Sequence, residues 1–200
     1  MILNVIDYLR RLRIKKDWER QGKPVPPPET IKQDIVKDYA ARFSIRTFIE
    51  TGTYQGHMVR AVRRCFERIW SVELDSKLFH AAQHRFRHYK HISILHGDSG
   101  KVLPDILSIL DVPCLFWLDS HYSGGETAKG EQETPIRREF VEILTHPVAG
   151  HVILIDDARC FNSTHDYPSL DELDEIIRKI RPSWIVEVKD DIIRAHQANR

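Results

Sequence analysis

Glu50-Thr51-Gly52-Thr53-Tyr54-Gln55-Gly56 is the stretch of this 200-residue chain whose residue types and spacing point most directly to chemistry. A carboxylate closes the short apolar run Phe48-Ile49; glycines follow two and six positions later. His57 to Arg64 then reads as the start of an amphipathic helix. Strand, tight turn and helix N-terminus in that order mark where an α/β sheet receives a nucleotide-like ligand, although an ordinary strand-to-helix turn has the same outline. Gly52 would let the backbone approach a ligand without an intervening Cβ, and Gly56 would let helix and strand pack closely. Glu73 stands 21 positions beyond Gly52, in the second apolar run. An acid at that offset can accept hydrogen bonds from both hydroxyls of a ribose; the plainer alternative is a solvated acid at a strand end. Asp98 and Ser99 follow a third run, where their oxygens either bond an exocyclic amine or ring nitrogen, or cap the next helix. Asp119 and the pair Asp156-Asp157 end two further runs.

The elements that must hold these residues read as repeated strand–helix units. Strands are expected over 47–50, 69–74, 91–96, 112–119 and 151–155, with helices after the first four, to about residue 67 and over 76–89, 102–110 and 136–144. The fourth run is almost wholly apolar, as a central parallel strand buried on both faces should be. A helix begun by Ser169 or Asp171 and stopped by Pro182 precedes an antiparallel hairpin over 184–188 and 192–196. Residues 123–135 form a polar, glycine-containing loop at the end of the sheet where a substrate lid would be placed. The fold class is therefore α/β, a Rossmann-like seven-stranded, mostly parallel sheet with a C-terminal antiparallel hairpin and helices on both faces.

Ahead of this unit, residues 1–44 read as a helical extension with a proline-rich connector, and 45–200 as the main domain. Apolar residues from Ile2 to Ile14 recur at helical spacing, interleaved with Arg10, Arg11, Arg13, Lys15 and Lys16. Asp7, Asp17 and Glu19 dilute that charge, which favours a helix that caps the domain, or packs on a second copy in a homodimer, over a membrane-surface helix. A second helix runs from Glu29 or Thr30 to about Arg42, with Ile31, Ile35 and Tyr39 on one face.

A formal charge of +1 supplies no field to recruit nucleic acid or anionic lipid. No aspartate/asparagine-proline-proline-tyrosine motif occurs, which further disfavours a nucleic-acid substrate. No apolar run approaches the ~20 residues of a transmembrane helix. Three widely spaced cysteines, without a C-x-x-C pair, point to reduced thiols in a cytoplasm and away from a disulfide frame or zinc site.

Glu50 to Gly56, the acid Glu73, Gly97-Asp98-Ser99 and the closing hairpin together resemble a class I S-adenosylmethionine-dependent methyltransferase over about residues 45–197. The resemblance implies that Glu50 and the Gly52–Gly56 turn border the methionine part of the cofactor. It also implies that Glu73 holds the ribose and that Asp98 and Ser99 contact adenine. Tyr54 stands where a dinucleotide motif has its middle glycine, which disfavours a nicotinamide enzyme more than a methyltransferase.

More narrowly, the chain is similar to the cation-dependent O-methyltransferases, the group that includes catechol and some sugar O-methyltransferases. Their first motif also places tyrosine between glycines. Their metal is held by an acid after strand four and an acid or amide pair after strand five, the places of Asp119 and of Asp156-Asp157 here. The resemblance therefore implies Mg²⁺ on Asp119, Asp156 and Asp157, chelation of two oxygens of a small polar or glycosyl acceptor, and methyl transfer to one of them. Tyr122 occupies the position of the catechol enzymes' lysine base. His121 or Lys129 would then take the proton, or Asp119 or His121 in a metal-independent variant.

Overall fold

Cys114–Leu118 is strand β4, and all five of its residues are buried. Phe116 and Leu118 face one apolar cluster and Leu115 and Trp117 the other, the alternation that a strand covered on both faces requires. The computed structural model describes residues 2–119, 135–164 and 166–198.

Seven strands form one sheet in the order β3-β2-β1-β4-β5-β7-β6. They are β1 (Thr47–Thr51), β2 (Arg68–Glu73), β3 (Ile92–His96), β4, β5 (Val152–Ile155), β6 (Trp184–Lys189) and β7 (Ile192–Gln197). Neighbours from β3 to β5 pair in parallel, and β7 pairs antiparallel with both β5 and β6. The chain winds outward from β1 through β2 and β3, then returns to start again at β4. The β1/β4 junction is thus a switch point, where crossover connections diverge and leave a crevice at the strands' C-terminal ends.

The described residues form the helices α1 (Ile2–Arg20), α2 (Glu29–Arg42), α3 (His57–Val62), α4 (Ser76–Phe86), α5 (Ser99–Ser108), α6 (Ile136–Thr145) and α7 (Leu170–Ile180), of which α2 to α7 cover the sheet. One face carries Leu103, Phe140, Ile143, Leu173 and Ile177 from α5, α6 and α7. The other carries Val36, Tyr39, Val59, Val62, Ala82 and Phe86 from α2, α3 and α4. Each such large side chain contributes on the order of 1.5–3 kcal/mol by leaving water.

Three helices differ from their expected spans, among them α4, which ends at Phe86 and not at 89. α3 stops at Val62, well short of residue 67, because the chain turns there: Cys65 N–H bonds the Val62 carbonyl and the Arg63 guanidinium bonds that of Arg60. α5 begins three residues before 102 because Asp98 caps it. The capping box expected of Ser169 is complete, its hydroxyl accepting from Glu172 N–H while the Glu172 carboxylate accepts from Ser169 N–H.

α2 lies on the sheet, and α1 lies on α2. Arg11 reaches Gln33, the Thr30 carbonyl and Asp34, while buried Trp18 donates to the Pro24 carbonyl. Val5, Ile6, Tyr8 and Leu9 remain more than half exposed. Among the described residues no helix is long and apolar enough to cross a membrane. Cys65, Cys114 and Cys160 are all free thiols.

Candidate functional site

The turn after β1 is built by backbone bonds to β2. Gly52 and Thr53 N–H groups both donate to the Val72 carbonyl, at 3.0 and 3.1 Å. The chain then reverses through positive φ at Gly52 (88°), Tyr54 (47°) and Gly56 (67°). Gly56 is required on two counts. Its left-handed conformation precedes α3, and a Cβ there would sit 2.8 Å from Phe86 Cε2. The close approach expected at Gly56 is thus to α4.

Glu73, at the end of β2, grips this turn. One carboxylate oxygen accepts Tyr54 N–H at 2.7 Å and the other accepts Asp75 N–H at 2.9 Å. The side chain is nearly buried, which removes the reading as a solvated strand-end acid. A carboxylate has about four lone-pair positions, so each oxygen keeps capacity beyond these two bonds.

Glu50 is buried inside β1, beside Ser71 of β2 in the sheet register. Thr53 Oγ1 and Ser71 Oγ are 2.6 Å apart, and Ser71 donates in turn to Glu50. Burial pushes the Glu50 carboxyl well above the usual range; the Ser71 bond opposes this, while the charges of Asp119, Glu73 and Glu29 add to it. Glu50, Glu73 and Asp119 therefore sense one another, as residues of one crevice should. The hydroxyl of Thr51, the last residue of β1, is fully buried and has no hydrogen-bond partner among the described residues.

Asp98 and Ser99 lie at the adjacent strand end, tied in by the bond from Gly97 N–H to the Glu73 carbonyl (2.9 Å). Asp98 is the N-cap of α5, accepting Gly100 N–H at 2.9 Å, so the capping role left open by the sequence is realised. Ser99 is buried in the first turn of that helix.

Asp119, Asp156 and Asp157 follow the C-terminal ends of neighbouring strands, linked by bonds from Asp119 N–H to the Thr51 carbonyl and from Asp156 N–H to the Leu118 carbonyl. They do not form the expected metal cage. One Asp156 oxygen accepts Asp157 N–H at 2.9 Å, and the other accepts the ammonium of Lys32. Asp157, at φ 56°, accepts the Arg159 guanidinium at 2.8 Å and lies 3.9 Å from Lys32 Nζ. Arg159 is anchored from behind by Asp191. Among the described residues, no group of three His, Cys, Asp or Glu side chains is placed to hold a metal ion. A divalent cation needs free carboxylate oxygens; both Asp156 oxygens and one Asp157 oxygen already serve two cationic side chains and a backbone amide.

Lys32 is the residue that sequence reasoning missed. Only 8% exposed, it projects from the first turn of α2. Burial works against its charge, but Asp156, Asp119 and Asp157 outweigh that and raise its pKa. Asp156 is pushed upward by burial and by Asp119, with Lys32 opposing. A signal was present: Val36 and Ala40 lie four and eight positions on, so Lys32 heads the buried row of the helix. Ile31 and Tyr39 of the expected face are indeed buried and Ile35 packs against the core, but the buried face is wider and also takes in Lys32, Val36 and Ala40.

His121 and Lys129, the proposed bases, and the rest of residues 120–134 of the polar loop, lie outside the described residues.

No family model matches the chain, and no curated protein matches it in sequence. Its fold does have known counterparts. The O-methyltransferase TomG from Streptomyces achromogenes, in complex with SAM, superposes with a TM-score of 0.62 at 13% identity, over 94% of this chain and 89% of that one. A caffeoyl-CoA O-methyltransferase-like protein of Staphylococcus aureus gives 0.62 at 12% identity over 98% of both chains. An O-methyltransferase from Bacillus cereus, in complex with SAH, gives 0.62 at 14% identity over 94% and 90%. The chain thus shares the fold of these solved methyltransferases.

Proposed function

We propose that this protein is an S-adenosylmethionine-dependent methyltransferase that methylates an oxygen of a small polar or glycosyl acceptor. The observation that carries this reading is the Gly52–Gly56 turn fastened to the Glu73 carboxylate at the β1/β4 switch point. The residues fit the cofactor: a bent backbone without bulk at Gly52, a carboxylate with unspent lone pairs beside it, and a buried hydroxyl at Thr51 that has no partner among the described residues. The similarity to TomG in complex with SAM and to the Bacillus cereus enzyme in complex with SAH supports the same choice of ligand.

On this reading Glu73 accepts the ribose hydroxyls and Asp98 and Ser99 face adenine. Glu50, Gly52, Tyr54 and Gly56 border the methionine part. When bound, the cofactor supplies a methyl group on a sulfonium sulfur. Asp119, held against the end of β1, marks the acceptor end. It, or His121 or Lys129 from the following loop, removes the hydroxyl proton as the oxygen attacks. The carboxylates around the crevice favour a cationic cofactor over an anionic one. Asp156 and Asp157 are engaged by Lys32 and Arg159 and do not fit Mg²⁺. Three separate thiols accord with a cytoplasmic enzyme.

The test is calorimetric titration of S-adenosylhomocysteine into the protein and into Glu73→Ala. Stoichiometric binding, weakened about 10-fold or more in the variant, is expected, since removing a charged hydrogen-bond partner costs about 1.5–3 kcal/mol. Absence of binding to the parent protein would overturn the reading.

A further inference from the structure

The methyltransferase resemblance calls for a divalent ion where this chain seats a side chain. Lys32 Nζ donates to Asp156, lies 3.9 Å from Asp157 and feels the charge of Asp119. Those are the three carboxylates that the resemblance gives to a metal. The contact is long-range in sequence, 124 positions, and deeply placed, with the Lys32 and Asp156 side chains 11% and 1% exposed. It therefore belongs to the packed interior and is no surface pairing. A buried lysine is desolvated at substantial cost and persists only where anions compensate it. Buried carboxylates carry the matching problem, which either a metal or a lysine resolves.

We propose that Lys32 is the resident cation of the acceptor end, a tethered ammonium that takes the place of a divalent ion among Asp119, Asp156 and Asp157 and keeps metals out. The proposal rests on the methyltransferase reading for the meaning of the site, though its own test does not. An ammonium brings one positive charge and three N–H donors, and it donates hydrogen bonds instead of accepting lone pairs. An acceptor at this end is accordingly oriented by hydrogen bonding and needs no pair of chelating oxygens. Because Lys32 comes from α2, the N-terminal segment supplies a functional group to the site as well as packing.

The decisive experiment follows free Mn²⁺ by electron paramagnetic resonance during titration into the full-length protein, into Lys32→Met, and into Lys32→Met/Asp156→Asn. The parent protein is expected to show no stoichiometric site below about 1 mM, Lys32→Met to gain one site at least 10-fold tighter, and the double variant to lose it. Lys32→Arg, which keeps the charge, should bind no Mn²⁺. Thermal melting is read in parallel, and 10 mM Mg²⁺ should raise the melting temperature of Lys32→Met by about 5 °C and leave the parent unmoved. If Lys32→Met is unfolded alone, recovery of its circular dichroism on adding Mn²⁺ supports the proposal and failure to recover overturns it. A stoichiometric Mn²⁺ site in the parent that disappears in Asp156→Asn overturns it, as does a folded Lys32→Met that binds none. S-adenosylhomocysteine titration of the parent judges the methyltransferase reading separately.

Discussion

The Lys32 ammonium donates to the Asp156 carboxylate, joining the first turn of α2 to the C-terminal end of β5. Both groups are buried, and the second Asp156 oxygen is taken by Asp157 N–H. Removing one partner strands the other. Asp156→Asn is expected to lower the unfolding free energy by about 3 kcal/mol. Lys32→Met should cost less, because burial and Asp119 already favour proton uptake by Asp156. The double variant should recover at least about 1 kcal/mol relative to the sum of the singles in urea denaturation. Strict additivity would show that the two groups are not coupled.

Glu50 makes the protein's stability fall as pH rises. Its carboxyl, buried and beside other acids, holds its proton above the usual carboxylate range. The folded state then binds more protons than the unfolded chain from about pH 4.5 upward until the raised value is passed. That stabilising difference is present in acid and lost on going alkaline. Glu50→Gln should therefore melt higher than the parent at pH 8, with the gap closing toward pH 4.5. Melting curves that stay parallel across that range would contradict this.

His151 acts in the opposite sense. Cys114 N–H donates to its Nδ1 at 3.0 Å, so Nε2 carries the proton and points it at His146 Nδ1, 2.9 Å away; His146 Nε2 donates to the Leu107 carbonyl. The relay requires a neutral ring, and burial, followed by His146 and Arg181, lowers the His151 pKa to about 4. The unfolded chain takes up this proton near pH 6.5 and the folded one only near 4, so stability is lost as pH falls through that window. The loss amounts to on the order of 3 kcal/mol. Urea midpoints between pH 7 and pH 4 should show it, and His151→Phe should flatten that slope. An unchanged slope in the variant would assign the acid sensitivity elsewhere.

Gly56→Ala tests the turn. The new methyl meets Phe86 Cε2 at 2.8 Å in a backbone that side chains rarely adopt. A loss of about 1–2 kcal/mol in stability is expected, together with weaker S-adenosylhomocysteine binding. Phe86→Leu/Gly56→Ala should regain part of the stability, since the ring edge is the obstacle. Gly56→Ala with parent-like stability would mean that the turn relaxes freely.

Much of the fold was legible because it depends on local patterns. The wholly apolar stretch around Phe116, the two short runs at Trp184 and Ile192 parted by Lys189-Asp190-Asp191, and the Ser169 cap each specify an element from a few adjacent residues. The Glu50–Gly56 spacing and the Glu73 offset placed the turn and its acid correctly, because a β–α–β unit forces the offset between consecutive strands. The ends of α3 and α5 were misjudged by a few residues, where side-chain caps and turn bonds outweigh hydrophobic period.

What the chain by itself determined is the succession of strands and helices, and with it which carboxylates lie at the C-terminal ends of the strands. Those choices follow from short-range steric and hydrophobic preferences. Only the tertiary structure decided what those carboxylates meet. Asp119 and Asp156-Asp157 look alike, as strand-end acids, whether a metal or an ammonium joins them. The answer depends on how α2 rotates as it packs on β4, in the cluster that holds Leu115, Trp117 and Leu154. That rotation carries Lys32 to Asp156 across 124 positions, a distance over which no local pattern operates.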